Sequence, residues 1–304
     1  MRSISLPKNN ILRSFIACLF FCLISSAAIP GIAFGQTKEL LIGIEPEHNI
    51  FDQMKRYRYL AEYLSDQLGV KVKLTIMSRY GEVIKRFKAL KLDGAFLTSY
   101  TATLGMKKLH LEPVANSVNL NGEFTSRGFI FVRKDSGIRS IADMKNGNIV
   151  FVDPATMEGY LFPMAFLEQH GVKEIKKFFH RYYFSGSHES AIFAVLDGRA
   201  DIGSAKSTVY NNLVKTDPSV GQELEIIAQS PEVPEVTLCI KSEIDQNLRE
   251  RLRRVLLQMY RTDDGMKVLK QFKAKRFVGS KIEDFVIIEK MVQKVLGSLT
   301  VNGK

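Results

Sequence analysis

Apolar positions recur along the chain with spacings that predict short strands separated by helices. Residues 40–44 form a brief apolar run typical of a buried strand. The segment 51–68 repeats apolar residues at helical spacing, and 70–76 alternates apolar and basic residues like a half-buried strand. A helix over 80–90 and a strand over 94–97 follow. This β-α-β-α-β order predicts a parallel sheet with helices packed on its faces.

A second unit of the same kind occupies the middle of the chain, and helices end it. Predicted strands are 129–132, 149–152, 181–184 and one entered at 201–203; predicted helices are 140–144, 159–171, 187–198, 244–259, 262–272 and 285–299. The proline-containing stretch 231–234 predicts a return crossover. We therefore expect a two-lobed α/β fold, with lobe one over 36–127 and 235–304 and lobe two over 128–234. Two crossovers between lobes form a hinge, and clefts between domains are favoured ligand sites.

The first 35 residues have the character of a secretory signal peptide. Basic residues come first, an apolar stretch covers 15–28, and the small-residue pattern Ala33-Phe34-Gly35 follows. The apolar stretch is short for a membrane span, which needs about 20 apolar residues. We therefore expect cleavage and export to the periplasm, with a retained N-terminal anchor as the alternative.

Charge and cysteine content narrow the possible partners. The net charge is +11, but basic side chains are interspersed with acidic ones and form no dense basic run with aromatics. This pattern argues against nucleic acid as a partner. Cys239 is the only cysteine after the predicted cleavage, so no intramolecular disulfide can form. It lies in the apolar run 236–240, which predicts a buried strand thiol.

Short motifs recur in a fixed order from the first predicted strand to the penultimate helix. They are Ile44-Glu45-Pro46-Glu47-His48-Asn49, 51–58, Thr98-Ser99-Tyr100, Val152-Asp153-Pro154-Ala155, 159–163, 185–191, Phe277-Val278 and Asp284-Phe285. This series resembles the phosphate/phosphite/phosphonate-binding proteins of ABC importers, over nearly the whole chain after the signal peptide. The resemblance implies a type II periplasmic binding fold and an inner-membrane ABC permease as partner.

The turn from Asp153 to Gly159 is the first candidate anion site. A loop that enters a helix offers unpaired N–H groups and the positive end of the helix dipole. The resemblance implies a hydroxyl-rich triplet that grips phosphonate oxygens, and its positions are taken here by Thr156, Met157 and Glu158. A carboxylate repels a phosphonate. Either Glu158 points to solvent, as a first-turn acid would, or the ligand is not a phosphonate.

Two further candidates lie where helices begin. His188 follows Ser187, and the resemblance implies that this histidine contacts the oxyanion of the ligand; alternatively Ser187 caps the helix and His188 is exposed. Tyr100, with Ser99, follows a strand at the edge where parallel sheets place ligands. Core packing is the alternative for Tyr100.

Glu47 and Lys206 complete the candidate set. Glu47 follows the first strand with His48, and either grips a cationic group or caps the next helix. By the resemblance, binders of aminoalkyl phosphonates carry an acid near the position of Lys206. A lysine there favours an anionic ligand, and a surface position is the alternative.

We expect a solute-binding component of an ABC importer that captures a small, oxyanionic, phosphonate-like ligand between its lobes. A sensor of the same fold that feeds a membrane signalling kinase is the alternative, as is a binder of another ligand. Five scattered histidines, and no nucleophile paired with a base, argue against an enzyme. We expect no catalytic residue, metal or cofactor, and a monomer.

Overall fold

A computed structural model describes residues 39–45, 50–77 and 82–301, all within one compact unit spanning 38–304. The predicted signal peptide (1–35) and Glu47 lie outside the described residues, so their assignments remain predictions. Within the described ranges, no helix combines the length and apolar character needed to cross a membrane.

Strands and helices alternate through most of the described chain. The strands are β1 (Glu39–Ile44), β2 (Lys71–Ile76), β3 (Gly94–Leu97), β4 (Leu111–Asn119), β5 (Thr125–Ser126), β6 (Gly128–Arg133), β7 (Asn148–Phe151), β8 (Arg181–Phe184), β9 (Ile202–Lys206), β10 (Leu224–Gln229), β11 (Val233–Pro234), β12 (Thr237–Lys241) and β13 (Ala274–Gly279). The helices are α1 (Ile50–Leu68), α2 (Val83–Leu90), α3 (Ser99–Leu109), α4 (Phe162–Gln169), α5 (Ile175–Phe178), α6 (His188–Leu196), α7 (Ser207–Thr216), α8 (Pro218–Glu223), α9 (Gln246–Gln258), α10 (Asp263–Phe272) and α11 (Val286–Val301).

The strands form two main sheets, one in each lobe. Lobe one has the order β13-β4-β12-β3-β1-β2, and lobe two has the order β10-β6-β9-β7-β8. In lobe one β1 pairs in parallel with β2 and β3, as the β-α-β-α-β pattern predicts. The chain passes between the lobes through β5 and β11, which pair antiparallel as a small hinge sheet. The two-lobed α/β fold is therefore the predicted one.

Two elements of lobe one lie before the first crossover and were not predicted. The sequence pattern indicated no helix or strand between β3 and residue 127, but α3 and β4 lie there. The apolar period of α3 is weak because its buried residues include Thr101, Thr103 and Gly105. Pro113 has no backbone N–H and therefore argues against a central strand. The sheet nevertheless accommodates it, because the pairing of β12 with β4 shifts register at this proline.

Lobe one has a core of aromatic rings beneath its sheet. Tyr57 packs edge-on against Phe96 and Phe272, with ring centroids 5.0 and 4.9 Å apart. Cys239 lies fully buried in β12, as predicted, and burial raises the pKa of its thiol. The thiol is therefore uncharged at neutral pH.

The C-terminal helix α11 contacts both lobes. It packs against α3 in lobe one and against α4 and the turn Met157–Leu161 in lobe two. An ion pair of 3.3 Å joins Lys107 of α3 to Glu289 of α11. The helix therefore links the lobes in addition to β5 and β11.

Candidate functional site

A cleft of about 430 Å³ lies between the lobes. Lobe one lines it with residues from α1, β4 and the end of α10, and lobe two with residues from α6, the end of β9 and α7. The charged lining groups are three cations and two carboxylates: Arg56, Lys206, Lys273, Glu189 and Glu235. The volume suits a small ligand, and the excess of cations favours an anion.

Lys206 is a buried cation at the end of β9. Its ammonium lies 3.3 Å from a carboxylate oxygen of Glu235, and the other oxygen of Glu235 accepts a 2.8 Å hydrogen bond from the Thr208 hydroxyl. Lys206 is only 2 % exposed, so it is not a surface lysine, which was the alternative. Burial makes the attraction between such charges strong and their separation costly.

His188 begins α6 and is buried rather than exposed. Its Nδ1 accepts a hydrogen bond of 3.0 Å from the backbone N–H of Lys206. An accepting Nδ1 carries no proton, so the ring hydrogen lies on Nε2. Ser187 caps the helix by accepting from the N–H of Ser190. The cap and the buried histidine therefore coexist, whereas the sequence had offered them as alternatives.

Glu158 is buried, and its carboxylate is hydrogen-bonded to a residue of the hinge strand β5. One oxygen accepts a 2.8 Å hydrogen bond from the hydroxyl of Ser126 in β5. Burial raises the pKa of this carboxyl, the nearby charge of Glu235 adds to the rise, and that of Lys206 opposes it. Of the two alternatives for Glu158, a solvent-facing first-turn acid does not agree with the structure, because the side chain is 2 % exposed.

Thr156 and Met157, which precede Glu158 in the turn, make their side-chain contacts within lobe two. The hydroxyl of Thr156 donates to the carbonyl of Asp153 at 2.7 Å, and Met157 packs in the apolar core. The N–H of Leu161 donates to the carbonyl of Thr156. Because that is a bond of the first helical turn, the N–H groups before it have no acceptor within the helix.

Ser99 and Tyr100 lie on lobe one, at the start of α3. Beside them, Glu45 accepts hydrogen bonds of 2.7 Å from the N–H of Thr98 and the hydroxyl of Thr101. The Ser99 hydroxyl is buried and has no hydrogen-bond partner among the described residues. Burial raises the pKa of the Tyr100 phenol, which therefore stays protonated. Neither Ser99 nor Tyr100 is among the residues that line the cleft, and Tyr100 packs in the apolar core.

The structure thus gathers part of the predicted set. Glu158, His188 and Lys206 lie together in lobe two, while Ser99 and Tyr100 form a separate group in lobe one. Glu235 was missed, although it follows Pro234 in the predicted crossover, where hinge residues face a cleft. Arg56 and Lys273 were missed because surface cations are common and nothing in the local pattern distinguishes them.

The sequence of the chain matches a known family of binding proteins. The family model described as "ABC transporter, phosphonate, periplasmic substrate-binding protein" matches residues 42–285. The chain belongs to this family. Its members bind substrates for ABC transporters, so the chain is a binding protein and not an enzyme.

Two similar proteins are named as binding proteins for phosphite and for phosphonates. A probable ABC transporter phosphite-binding protein of Prochlorococcus marinus (strain MIT 9301) is 26% identical over 91% of this chain and 98% of that one. The phosphonates-binding periplasmic protein of Escherichia coli (strain K12) is 22% identical over 82% and 74%.

Solved structures share the two-lobed architecture. The binding component of a phosphonate ABC transporter from Pseudomonas aeruginosa has a TM-score of 0.75 at 22% identity, covering 88% of this chain and 89% of that one. The Prochlorococcus marinus protein in complex with methylphosphonate has a TM-score of 0.73 at 24% identity, covering 86% and 99%. At these identities the likeness establishes the fold.

Proposed function

We propose that this chain is the periplasmic solute-binding component of an ABC importer and captures a small, phosphonate-like oxyanion in the interlobe cleft. The single observation that carries this is the placement of Lys206 and His188 in one wall of that cleft. Both are buried, and both can present a proton to an oxyanion. The name of the Prochlorococcus marinus relative, a phosphite-binding protein, supports the same ligand class.

Binding would proceed by closure of the lobes around the ligand. The oxyanion would accept from Nε2 of His188 and from the ammonium of Lys206, with Ser99 and Tyr100 donating from lobe one. Contacts from both lobes favour the closed state, because each lobe gains interactions only when the cleft shuts. The closed form would then deliver its ligand to an inner-membrane permease. No covalent step is required of this chain.

The buried carboxyl of Glu158 sets a condition on this proposal. An ionised Glu158 beside Lys206 would repel an anion. Its raised pKa favours the protonated, neutral form, which removes that repulsion. We therefore expect the anion and a proton at Glu158 to bind cooperatively, and affinity to fall as pH rises through the raised pKa.

The test is thermal-shift and calorimetric titration of the purified chain with methylphosphonate, phosphite, phosphate, sulfate and acetate. A tight oxyanion should raise the melting midpoint by mass action. Glu158→Gln should bind that oxyanion at least as tightly and lose the pH dependence, with Glu243→Gln as the matched control on an exposed carboxylate outside the cleft lining. If no oxyanion raises the melting midpoint or gives a binding heat, the proposal of an anionic ligand is wrong. Binding without ligand-dependent uptake by cells carrying the permease would favour a sensor.

A further inference from the structure

A second cavity, of about 350 Å³, lies on the opposite face of β4 from the cleft. Side chains alternate along a strand, so Ser117 lines the cleft while its neighbour Asn116 lines this second cavity. We call it the hinge pocket. Its walls are Asn116, Phe124, Thr125, Glu232–Pro234, Arg253, Gly279–Lys281 and Asp284. Both hinge strands, β5 and β11, therefore contribute to it.

Two buried polar atoms in the hinge pocket lack partners. The amide oxygen of Asn116 and the hydroxyl of Ser280 have no hydrogen-bond partner in the part of the chain that the structure describes. Their residues are only 3 % and 2 % exposed. Buried polar atoms are almost always hydrogen-bonded, and leaving one unpaired costs stability. Two of them in the walls of one cavity indicate an occupant that supplies an acceptor for Ser280 and a donor for Asn116.

The charged groups of the hinge pocket favour an anionic occupant. Glu232 is already paired with Arg127 at 2.9 Å, and Asp284 accepts the N–H of Lys281 at 3.0 Å. Arg253 has no carboxylate partner among the described residues, and its guanidinium donates only a weak hydrogen bond of 3.4 Å to the Ser280 carbonyl within them. An arginine fork with unused donors suits a carboxylate or phosphate group.

Gly279 keeps space for that guanidinium. A Cβ at position 279 would lie 2.6 Å from Nη2 of Arg253, so any larger residue would push the arginine away from Ser280. Phe124 and Pro234 supply an apolar wall beside these polar groups. The pocket thus combines a cation, a hydroxyl, an amide oxygen and an apolar surface.

We propose that the hinge pocket is a second small-molecule site, distinct from the cleft, for a small oxyanion that also carries a hydrogen-bond donor, such as a hydroxy acid or an amino acid. The oxyanion binds Arg253 and the Ser280 hydroxyl, and the donor binds the Asn116 amide oxygen. Because two walls are the hinge strands, occupancy alters the free-energy difference between open and closed lobes. By linkage, the cleft ligand and the hinge ligand then change each other's affinity by the same factor.

The experiment is an NMR titration of the isotopically labelled chain with glycolate and serine, compared with acetate and ethylene glycol. Glycolate and serine should shift the backbone resonances of 279–281. Acetate, which lacks the donor, and ethylene glycol, which lacks the charge, should bind roughly tenfold or more weakly. Neither outcome depends on whether the cleft takes a phosphonate.

Two variants locate the response. Arg253→Met and Ser280→Ala should each weaken glycolate binding roughly tenfold, whereas the cleft variant His188→Asn should leave it unchanged. Arg253 is exposed, so its variant is expected to fold. The proposal is overturned if the shifts persist in both hinge-pocket variants, if they disappear in His188→Asn, or if neither probe shifts 279–281. A crystal structure grown in glycolate that holds only ordered waters on Asn116 and Ser280 would also overturn it.

Discussion

The hydrogen bond from Ser126 to Glu158 joins the hinge to the turn Met157–Leu161 of lobe two. Ser126 belongs to β5, and Glu158 begins the helical turn that leads into α4. The same carboxylate interacts electrostatically with Lys206, which lines the cleft. A change of charge at Glu158 therefore acts on hinge geometry and on the cleft together.

Glu158→Gln should change the pH dependence of stability. The folded-state pKa of Glu158 is raised above about 4.5 by burial. Its favourable contribution is therefore complete below that value and is lost as pH rises through the folded pKa, with a limiting slope of about 1.4 kcal/mol per pH unit. Glutamine mimics the neutral acid at every pH. The variant should thus gain stability relative to the parent protein as pH rises above about 4.5.

Urea unfolding at several pH values measures this effect. Glu189→Gln makes the same chemical change on an exposed residue of the cleft and should follow the parent curve. If Glu158→Gln and the parent protein give parallel curves, the carboxyl is ionised throughout, and its neighbours Lys206 and Glu235 do not act as described.

Lys206→Met should destabilise the protein by about 3 kcal/mol, because it leaves Glu235 buried beside an apolar side chain. Adding Glu235→Gln removes the uncompensated charge and should recover part of the loss. A double-mutant cycle on unfolding free energies separates the pair from other contacts of Lys206. Lys267→Met breaks an exposed ion pair with Asp264 and should leave stability unchanged. Additive effects of the two buried substitutions would contradict the coupling.

The sequence predicted those strands and helices whose apolar residues follow a regular local pattern. Short apolar runs predicted β1, β3, β6, β7 and β12, alternation predicted β2, and β8 lies at 181–184 as expected. The edge strands β10 and β13 were not predicted. Helix α3 left no such signal, since buried threonines and a glycine replace the apolar stripe. Its partner β4 was hidden by Pro113, which the sheet accommodates by a register shift.

The candidate site also contains residues that the sequence could identify and residues that it could not. His188 and Lys206 were selected from the resemblance, which implies a ligand-contacting histidine at the first position and, in binders of aminoalkyl phosphonates, an acid near the second. Their burial, however, depends on contacts between residues far apart in sequence, such as the pairing of Lys206 with Glu235. Glu158 was the least predictable, because its hydrogen bond runs to Ser126 in the hinge, 32 positions away. Pairings of this kind have no local pattern.

His188→Asn and His188→Ala should separate the structural role of this side chain from its proposed ligand contact. The Asn oxygen can replace Nδ1 as acceptor for the Lys206 N–H, whereas Ala leaves that buried N–H unpaired, at a cost of about 1–3 kcal/mol. Both variants lack the Nε2 donor. Both should therefore lose oxyanion affinity, while only His188→Ala loses substantial stability. Retained affinity in His188→Asn would limit the residue to a structural role.

Ser99→Ala should weaken oxyanion binding roughly tenfold without weakening the fold. The Ser99 hydroxyl is buried and unpaired among the described residues, so its removal takes away no bond and should leave the unfolding free energy unchanged or slightly higher. Thr103→Val is the matched control, because that buried hydroxyl already donates to the Ser99 carbonyl at 2.8 Å. The control should lose about 1 kcal/mol of stability and keep its affinity. Calorimetric titration and urea unfolding of both variants decide the matter: a Ser99→Ala protein that is destabilised but binds normally would place this hydroxyl in the structure and not in the site.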